Sequence, residues 1–321
     1  MALPLPGPIL LVKLRGIGDS VLSLPSVEAL SRLYPGRPLD VLVPPASAPV
    51  FSQDKRVRAV KVYDKARLTW RGYARLVAGL RSQGYGLAFC PHASFRTALL
   101  GRLSGAGVRS VRNHSGIDWF NNLPCDAVKE PKSVVEREFD GLRSLGWQGP
   151  PPPARLALGP AGKAWARAWW TRQPGLRGGL LLLAPGGSVA SRRWPAERFA
   201  ALAAGLIKAR RRVGWVVAPG EPLAPPAGLK GRLRLAEPPD VQALGALAGM
   251  AGALLGNNSG PRHVAAASGA RTFTLFADDL PREWHPYGAA QGHAYLRPPS
   301  GDLKDLGVEA VLKGALAWLK S

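Results

Sequence analysis

Short runs of consecutive apolar residues alternate with longer stretches where apolar and polar positions mix at helical spacing, and the alternation continues along all 321 residues. In the first half, residues 9–14, 39–43, 59–62, 86–90 and 108–112 read as strands. Residues 20–34, 73–83 and 95–103 read as helices, the first of them stopped by Pro35-Gly36. Runs that are apolar throughout, rather than at every second position, suit strands covered on both faces. Repeated strand–helix units of this size predict an α/β fold with parallel sheets between helical layers.

Gly149 and the prolines Pro150, Pro151, Pro152 and Pro153 interrupt this pattern, since consecutive prolines continue neither a helix nor a central strand. The pattern then restarts with strands at 180–184, 213–218, 252–255 and 271–276 and helices at 196–210, 240–250 and 260–268. A last amphipathic helix, 305–320, carries Leu306, Val311, Leu312, Leu316 and Leu319 on or near one face. The expected organisation is a first domain over 1–150, a second over 151–302, and a terminal helix segment over 303–321.

Residues able to do chemistry gather where predicted strands end. Arg15-Gly16-Ile17-Gly18-Asp19 follows the first strand, and together with Lys13 it forms a candidate acceptor site in which Arg15 and Gly18 also take part. Open α/β sheets bind ligands at this end of their strands. Asp19 has two readings: a cap of the following helix, or a carboxylate that takes a proton from an attacking hydroxyl. The segment is not a dinucleotide fingerprint, because Val21 stands where G-x-G-x-x-G needs its third glycine. His92 and Arg96, after the strand at 86–90, could reach an anionic acceptor.

In the second half, Gly187, Ser188, Arg192 and Arg193 form a loop suited to a diphosphate, with Trp194 reading as a packing residue. A solvated basic loop is the plainer alternative. Asn258, Ser259 and Gly260 then make a polar turn at a helix start, where unpaired backbone N–H groups favour anions. His263 lies one helical turn on, and Glu221 follows another strand end, where it could hold ribose hydroxyls. Two such turns, one in each half, suggest two Rossmann-like halves facing one cleft. The five histidines and two cysteines never cluster at ligand spacing, so no metal site and no cofactor is expected.

Composition narrows the partners. The formal charge of +22 points to something anionic, whether a phosphorylated substrate, a membrane face or nucleic acid. No nucleic-acid motif accompanies it, so charge alone supports that last class. Two distant cysteines, Cys90 and Cys125, fit a reducing cytoplasm better than a disulfide framework. No segment has the length of a membrane span, and the charges of the N-terminus come after its apolar run, the wrong order for a signal peptide.

Four segments in order, ILLVKLRGIGDSVLSLPSVEAL, FCPHASFRTALLGRLSGAGVR, APGGSVASRRWPAERFAALA and LLGNNSGPRHVAAASGARTFTLFADDLPREWHPYG, resemble the heptosyltransferases of glycosyltransferase family 9. PHASFRTALL is most similar to the heptosyltransferase II branch. The resemblance implies the GT-B fold, two Rossmann-like domains with a cleft between them. The first domain would take the acceptor and the second the nucleotide-sugar, with the terminal helix crossing back to the first domain. It implies that Asp19 is the catalytic base, that Arg192 stands at a phosphate-binding lysine position, and that Asn258, Ser259, Gly260 and His263 form the nucleotide-sugar motif. Glu221 would match a ribose ligand.

Two positions depart from the family pattern. Asn258 replaces the usual aspartate, leaving a carboxylate missing beside the donor, and arginine replaces lysine at 192. The implied activity is inverting, metal-independent transfer of a heptose or related sugar from a nucleotide-diphosphate donor such as ADP-heptose to a lipopolysaccharide-core or other cell-envelope glycan. The implied partners are that donor, an anionic glycan or glycolipid, and the anionic inner face of the cytoplasmic membrane, touched peripherally by a cytoplasmic monomer that binds no nucleic acid. Asn258 also admits a different class, a non-catalytic nucleotide-sugar or glycan-binding protein that keeps the fold.

Overall fold

The computed structural model describes residues 3–92, 94–111, 118–123, 132–173, 179–220, 227–229, 231–287 and 291–320. The chain divides into two compact units, Met1–Arg155 and Leu156–Ser321.

The first unit runs β1 (Ile9–Val12), α1 (Ile17–Val21), α2 (Leu24–Leu33), β2 (Leu39–Val43), α3 (Ala48–Phe51), β3 (Val57–Val62), α4 (Trp70–Arg81), β4 (Leu87–Cys90), α5 (Phe95–Leu103), β5 (Val108–Val111) and α6 (Val134–Ser144). Its strands pair in parallel in the order β3-β2-β1-β4-β5. Every residue of β1, β2 and β4 is buried, as continuous apolar runs require when helices cover both sheet faces. Edge strand β3 is half exposed, and its Arg58 reaches across to the buried Asp40 of β2 with two hydrogen bonds of 2.8 and 2.7 Å. Tyr85 donates to the same carboxylate at 2.6 Å, so Asp40 is buried without being orphaned.

The second unit runs α7 (Pro160–Thr171), β6 (Leu180–Ala184), α8 (Ala196–Lys208), β7 (Val213–Val216), β8 (Arg234–Ala236), α9 (Val241–Ala251), β9 (Gly252–Asn257), α10 (Gly260–Ala267), β10 (Arg271–Leu275), α11 (Pro281–Trp284), β11 (Ala294–Leu296) and α12 (Val308–Trp318). Its strands are again all parallel, ordered β11-β10-β9-β6-β7-β8. Val311, Ala315 and Trp318 of α12 belong to this unit's core with Phe199, Leu202, Leu206 and Phe273. Gly256 is fixed by close packing of β9 on β6: a Cβ there would lie 2.7 Å from the Ala184 carbonyl oxygen.

Both sheets share one consequence of strand order. The chain leaves the middle strand in opposite directions on either side of β1–β4, and likewise on either side of β6–β9. Those switch points are where helices diverge and leave a crevice at the carboxyl ends of the strands. The turns after β1 and β4, and after β6 and β9, hold most of the residues singled out from the sequence, and Glu221 lies outside the described residues.

The helix expected over 20–34 is two helices. Pro25 has no N–H to continue α1, and it sits instead in the first turn of α2 after Ser23. Helices α6 and α7 and the edge strands β8 and β11 add to the elements read from the sequence. Cys90 is a free buried thiol whose pKa burial pushes up to about 12, and Cys125 lies outside the described residues.

Candidate active site

The turn after β1 is built around a buried charge. Lys13 continues the central strand inward, with 1% of its surface exposed, and its Nζ donates to Glu138 Oε1 on α6 at 2.6 Å. Ser23 and Ser26 hydroxyls donate to the same carboxylate at 2.7 and 2.6 Å. Three donors thus converge on Glu138, 2% exposed, which neither charge could bear alone at that depth.

Asp19 sits above this network in the first turn of α1. The residue preceding that helix is Gly16, and no side chain caps it, so Asp19 is not serving as its N-cap. Its Oδ1 lies 3.8 Å from Lys13 Nζ and 3.9 Å from Arg15 Nε, with the side chain 19% exposed. Its own carbonyl lies 3.1 Å from the Ser23 hydroxyl, whose one proton goes to Glu138 at 2.7 Å, so the serine sits between the turn and that carboxylate. The Asp19 carboxylate is therefore partly exposed, close to two cations and hydrogen-bonded to neither. Across the β1–β4 switch point, half-buried His92 follows β4 with its carbonyl accepting from Thr97, and Arg96 is exposed on α5.

In the second unit one buried amide fastens both loops. Asn257, at the end of β9, donates from Nδ2 to the Pro185 and Gly186 carbonyls at 2.8 and 3.2 Å and accepts the Trp194 N–H at 3.0 Å. Trp194 is a packing residue, 1% exposed, with its indole N–H on the Leu306 carbonyl at 2.8 Å. The β6 loop is thereby held against the β9 turn, leaving Ser188 and Arg193 exposed. Arg193 donates to the Gly187 carbonyl, and Arg192 donates to exposed Asp278 at 3.1 Å. Ser259 precedes α10 without capping it by its side chain; its hydroxyl turns back to the Asn257 carbonyl at 3.3 Å.

Beneath that turn lies a fully buried guanidinium. Arg262 Nη2 carries two hydrogens and donates them to Asn258 Oδ1 and to the Trp284 carbonyl, each at 2.6 Å; His263 Nε2 lies 3.0 Å from the same nitrogen, and Nη1 donates to His285 Nδ1 at 3.2 Å. Arginine only donates, so His285 accepts at Nδ1, while His263 Nδ1 shares a hydrogen bond of 3.0 Å with the Tyr287 hydroxyl. Burial and the neighbouring positive charge keep the rings neutral: His263 is held well below its usual range, His285 is pushed down to about 3 and His293 to about 4. His263 therefore faces the core, 3% exposed, and not a ligand.

A family model for glycosyltransferase family 9 (heptosyltransferase) matches residues 73–310, well over half the chain. The chain belongs to that family. This glycosyltransferase superposes on a family 9 glycosyltransferase from Veillonella parvula with a TM-score of 0.86 at 19% identity, covering 100% of this chain and 99% of the other. It matches the E. coli ADP-heptose lps heptosyltransferase II with a TM-score of 0.81 at 21% identity, covering 98% of each chain. E. coli heptosyltransferase WaaC with ADP gives 0.77 at 20% identity, again covering 98% of each. A search of curated protein sequences gives no match. The two Rossmann-like units are thus those of a GT-B-like glycosyltransferase, and membership assigns catalysis, against the reading as a non-catalytic binding protein.

The sequence-derived site residues divide into three groups. Arg15, Gly18, Asp19 and His92 stand at the carboxyl edge of the first sheet, with Arg96 exposed on the helix that follows; Gly187, Ser188, Arg192, Arg193, Asn258, Ser259 and Gly260 stand at that of the second. Lys13 and His263 sit at the same turns but point inward, each engaged by a buried partner. Glu221 lies outside the described residues. Glu138 supports the first turn from below, and Asn257, Arg262, Asp278 and Asp279 lie beneath and beside the second. Of these, Arg262 lies on the helix read at 260–268, while Glu138 lies on α6, which was not read although Ser133 followed by Glu136 marks its start.

Proposed function

We propose that this glycosyltransferase transfers a heptose or closely related sugar, with inversion and without a metal, from a nucleotide-diphosphate donor to an anionic cell-envelope glycan. ADP-heptose is the donor to test first, since the heptosyltransferases it resembles carry ADP and ADP-heptose in their names. The observation that carries this reading is Asp19: a partly exposed carboxylate with no side-chain hydrogen bond among the described residues, in the turn at a sheet switch point. Asp19 takes the proton of an acceptor hydroxyl as that oxygen bonds to the anomeric carbon. The bond from that carbon to the diphosphate oxygen breaks, and the electron pair leaves with the diphosphate.

The second unit's turn suits that departing charge. Arg192 and Arg193 provide guanidinium forks, and the first N–H groups of α10 point outward from Ser259 and Gly260. Among the described residues no cluster of three or more His, Cys, Asp or Glu side chains is arranged to hold a metal ion. No helix among them is long and apolar enough to cross a membrane. A lipid-linked acceptor would then be met peripherally by the net charge of +22, and high salt should release the protein from anionic vesicles.

Calorimetry of the metal-free protein against ADP, GDP, UDP and dTDP sugars, followed by turnover of Asp19→Asn, tests the reading. The expected outcome is preference for the ADP sugar and a loss of turnover of roughly 10²–10⁴-fold with donor affinity intact. Loss of donor binding in Asp19→Asn would remove the base from the scheme.

A further inference from the structure

Arg262 is 0% exposed, and among the described residues no carboxylate lies within ion-pair distance of it. Every group it touches is neutral: an amide oxygen, a backbone carbonyl, two imidazoles, and the faces of Phe276 and Tyr287 at 5.4 Å each. Its Nε has no partner at all. A buried guanidinium in such company needs a counter-charge within reach.

That charge sits one residue beyond the first ring of partners. Asp279 is 5% exposed and follows β10; its Oδ1 accepts the Ala277 N–H at 3.0 Å and its Oδ2 accepts Asn258 Nδ2. Asn258 consequently has its oxygen on a cation and its NH₂ on an anion. Turning the amide over would oppose donor to donor and acceptor to acceptor, so the chemistry of its two neighbours fixes its orientation. The relay runs Arg262, Asn258, Asp279, with one full negative charge at its far end. The adjoining Asp278 meets Arg192, so a single loop after β10 touches both strand-end turns of the donor site.

We infer that Asp279 is a positioning residue of the donor site, holding the turn at Asn258, Ser259 and Gly260 by supplying through the Asn258 amide the negative charge that position 258 itself lacks. This rests on the donor reading of that turn. Asn258 on this account does not grip the donor with its side chain, since both polar atoms are already used. Asp279 matters for its charge, and either of the two positions can carry that charge provided that it is carried once.

The test is a transposition, using isosteric changes: Asp279→Asn, Asn258→Asp, and both together. ADP binding by calorimetry and melting temperature are measured for all four proteins. Each single variant is expected to weaken ADP binding at least tenfold, one by removing the charge and the other by placing two carboxylates side by side. The double variant, with the charge back but moved to 258, is expected to recover to within about threefold of the parent. Additive losses in the double variant, or unchanged ADP binding in Asp279→Asn, would overturn the inference. If the parent binds none of ADP, GDP, UDP and dTDP, the donor reading falls whatever the variants do. The melting-temperature cycle then still reports whether 258 and 279 are coupled, so the two failures are told apart.

Discussion

Glu138→Gln perturbs the base of the Asp19 turn at one atom pair while keeping its shape. Glu138 receives the Lys13 ammonium and two serine hydroxyls within 2.6–2.7 Å, and both charged side chains are 2% exposed. Removing one member of a buried ion pair costs about 3–5 kcal/mol, because the other charge is left desolvated. In a unit of this size that corresponds to roughly 6–20 °C in melting temperature, at about 2–4 °C per kcal/mol. The remaining anion near Lys13 is Asp19, at 3.8 Å. Its carboxylate should be drawn into a full ion pair with Lys13 and away from the acceptor, so turnover should fall with little change in ADP affinity. Calorimetric melting, which resolves the two units if they unfold separately, measures the first effect and steady-state kinetics the second. The companion Lys13→Met/Glu138→Leu should regain most of the stability, since no charge is left buried, yet not the turnover. A Glu138→Gln protein that melts within about 1 °C of the parent and turns over normally would refute the argument that this pair supports Asp19.

Three other perturbations read different parts of the site. Asp278→Asn releases Arg192 from an exposed ion pair worth about 0.2–1 kcal/mol, so ADP should bind up to about fivefold more tightly, as calorimetry would show. Stability should fall on acidification below about pH 6.5: there the unfolded chain protonates its histidines while His263, His285 and His293 stay neutral in the fold. Each contributes at most about 1.4 kcal/mol per pH unit down to its folded value, and nothing above the unfolded one, so urea midpoints should be flat above pH 7 and decline from pH 6 toward pH 4. Gly256→Ala should destabilise the second unit and lower its melting temperature, because the added methyl meets the Ala184 carbonyl at 2.7 Å in a sheet with no room to yield.

The strand ends were readable because they are local. Residues 95–103 form a helix as expected, with Ser94 accepting the Thr97 N–H to start it. The polar turns at Arg15-Gly16 and Asn258-Ser259 end apolar runs, and the alternation of elements was enough to place both at carboxyl ends of parallel strands. Sheet order was not readable in the same way, since it depends on which crossover goes to which face. Lys13 and His263 show the limit at single residues. Each was read outward from its polar turn, yet each is turned inward by a partner elsewhere: Glu138, 125 residues from Lys13, and Tyr287, 24 residues from His263. No spacing in the sequence announces such a partner.

The two turns answer the same physical demand in different ways. A turn at a switch point must hold backbone and side chains toward a ligand, while the groups directly beneath it are cut off from water. In the first unit a direct ion pair does this, Lys13 on Glu138, with serines filling the remaining acceptor sites. In the second the cation and the anion are kept apart by an amide, and neutral His285 accepts a hydrogen bond from Arg262 without adding charge. A direct pair is insensitive to its neighbours so long as both charges remain. A relay depends on the orientation of its middle member, so a change at Asn258 should be felt at Arg262 and Asp279 together, whereas one at Ser23 or Ser26 should cost one hydrogen bond to a charged group, about 1.5–3 kcal/mol, and leave the Lys13–Glu138 pair in place.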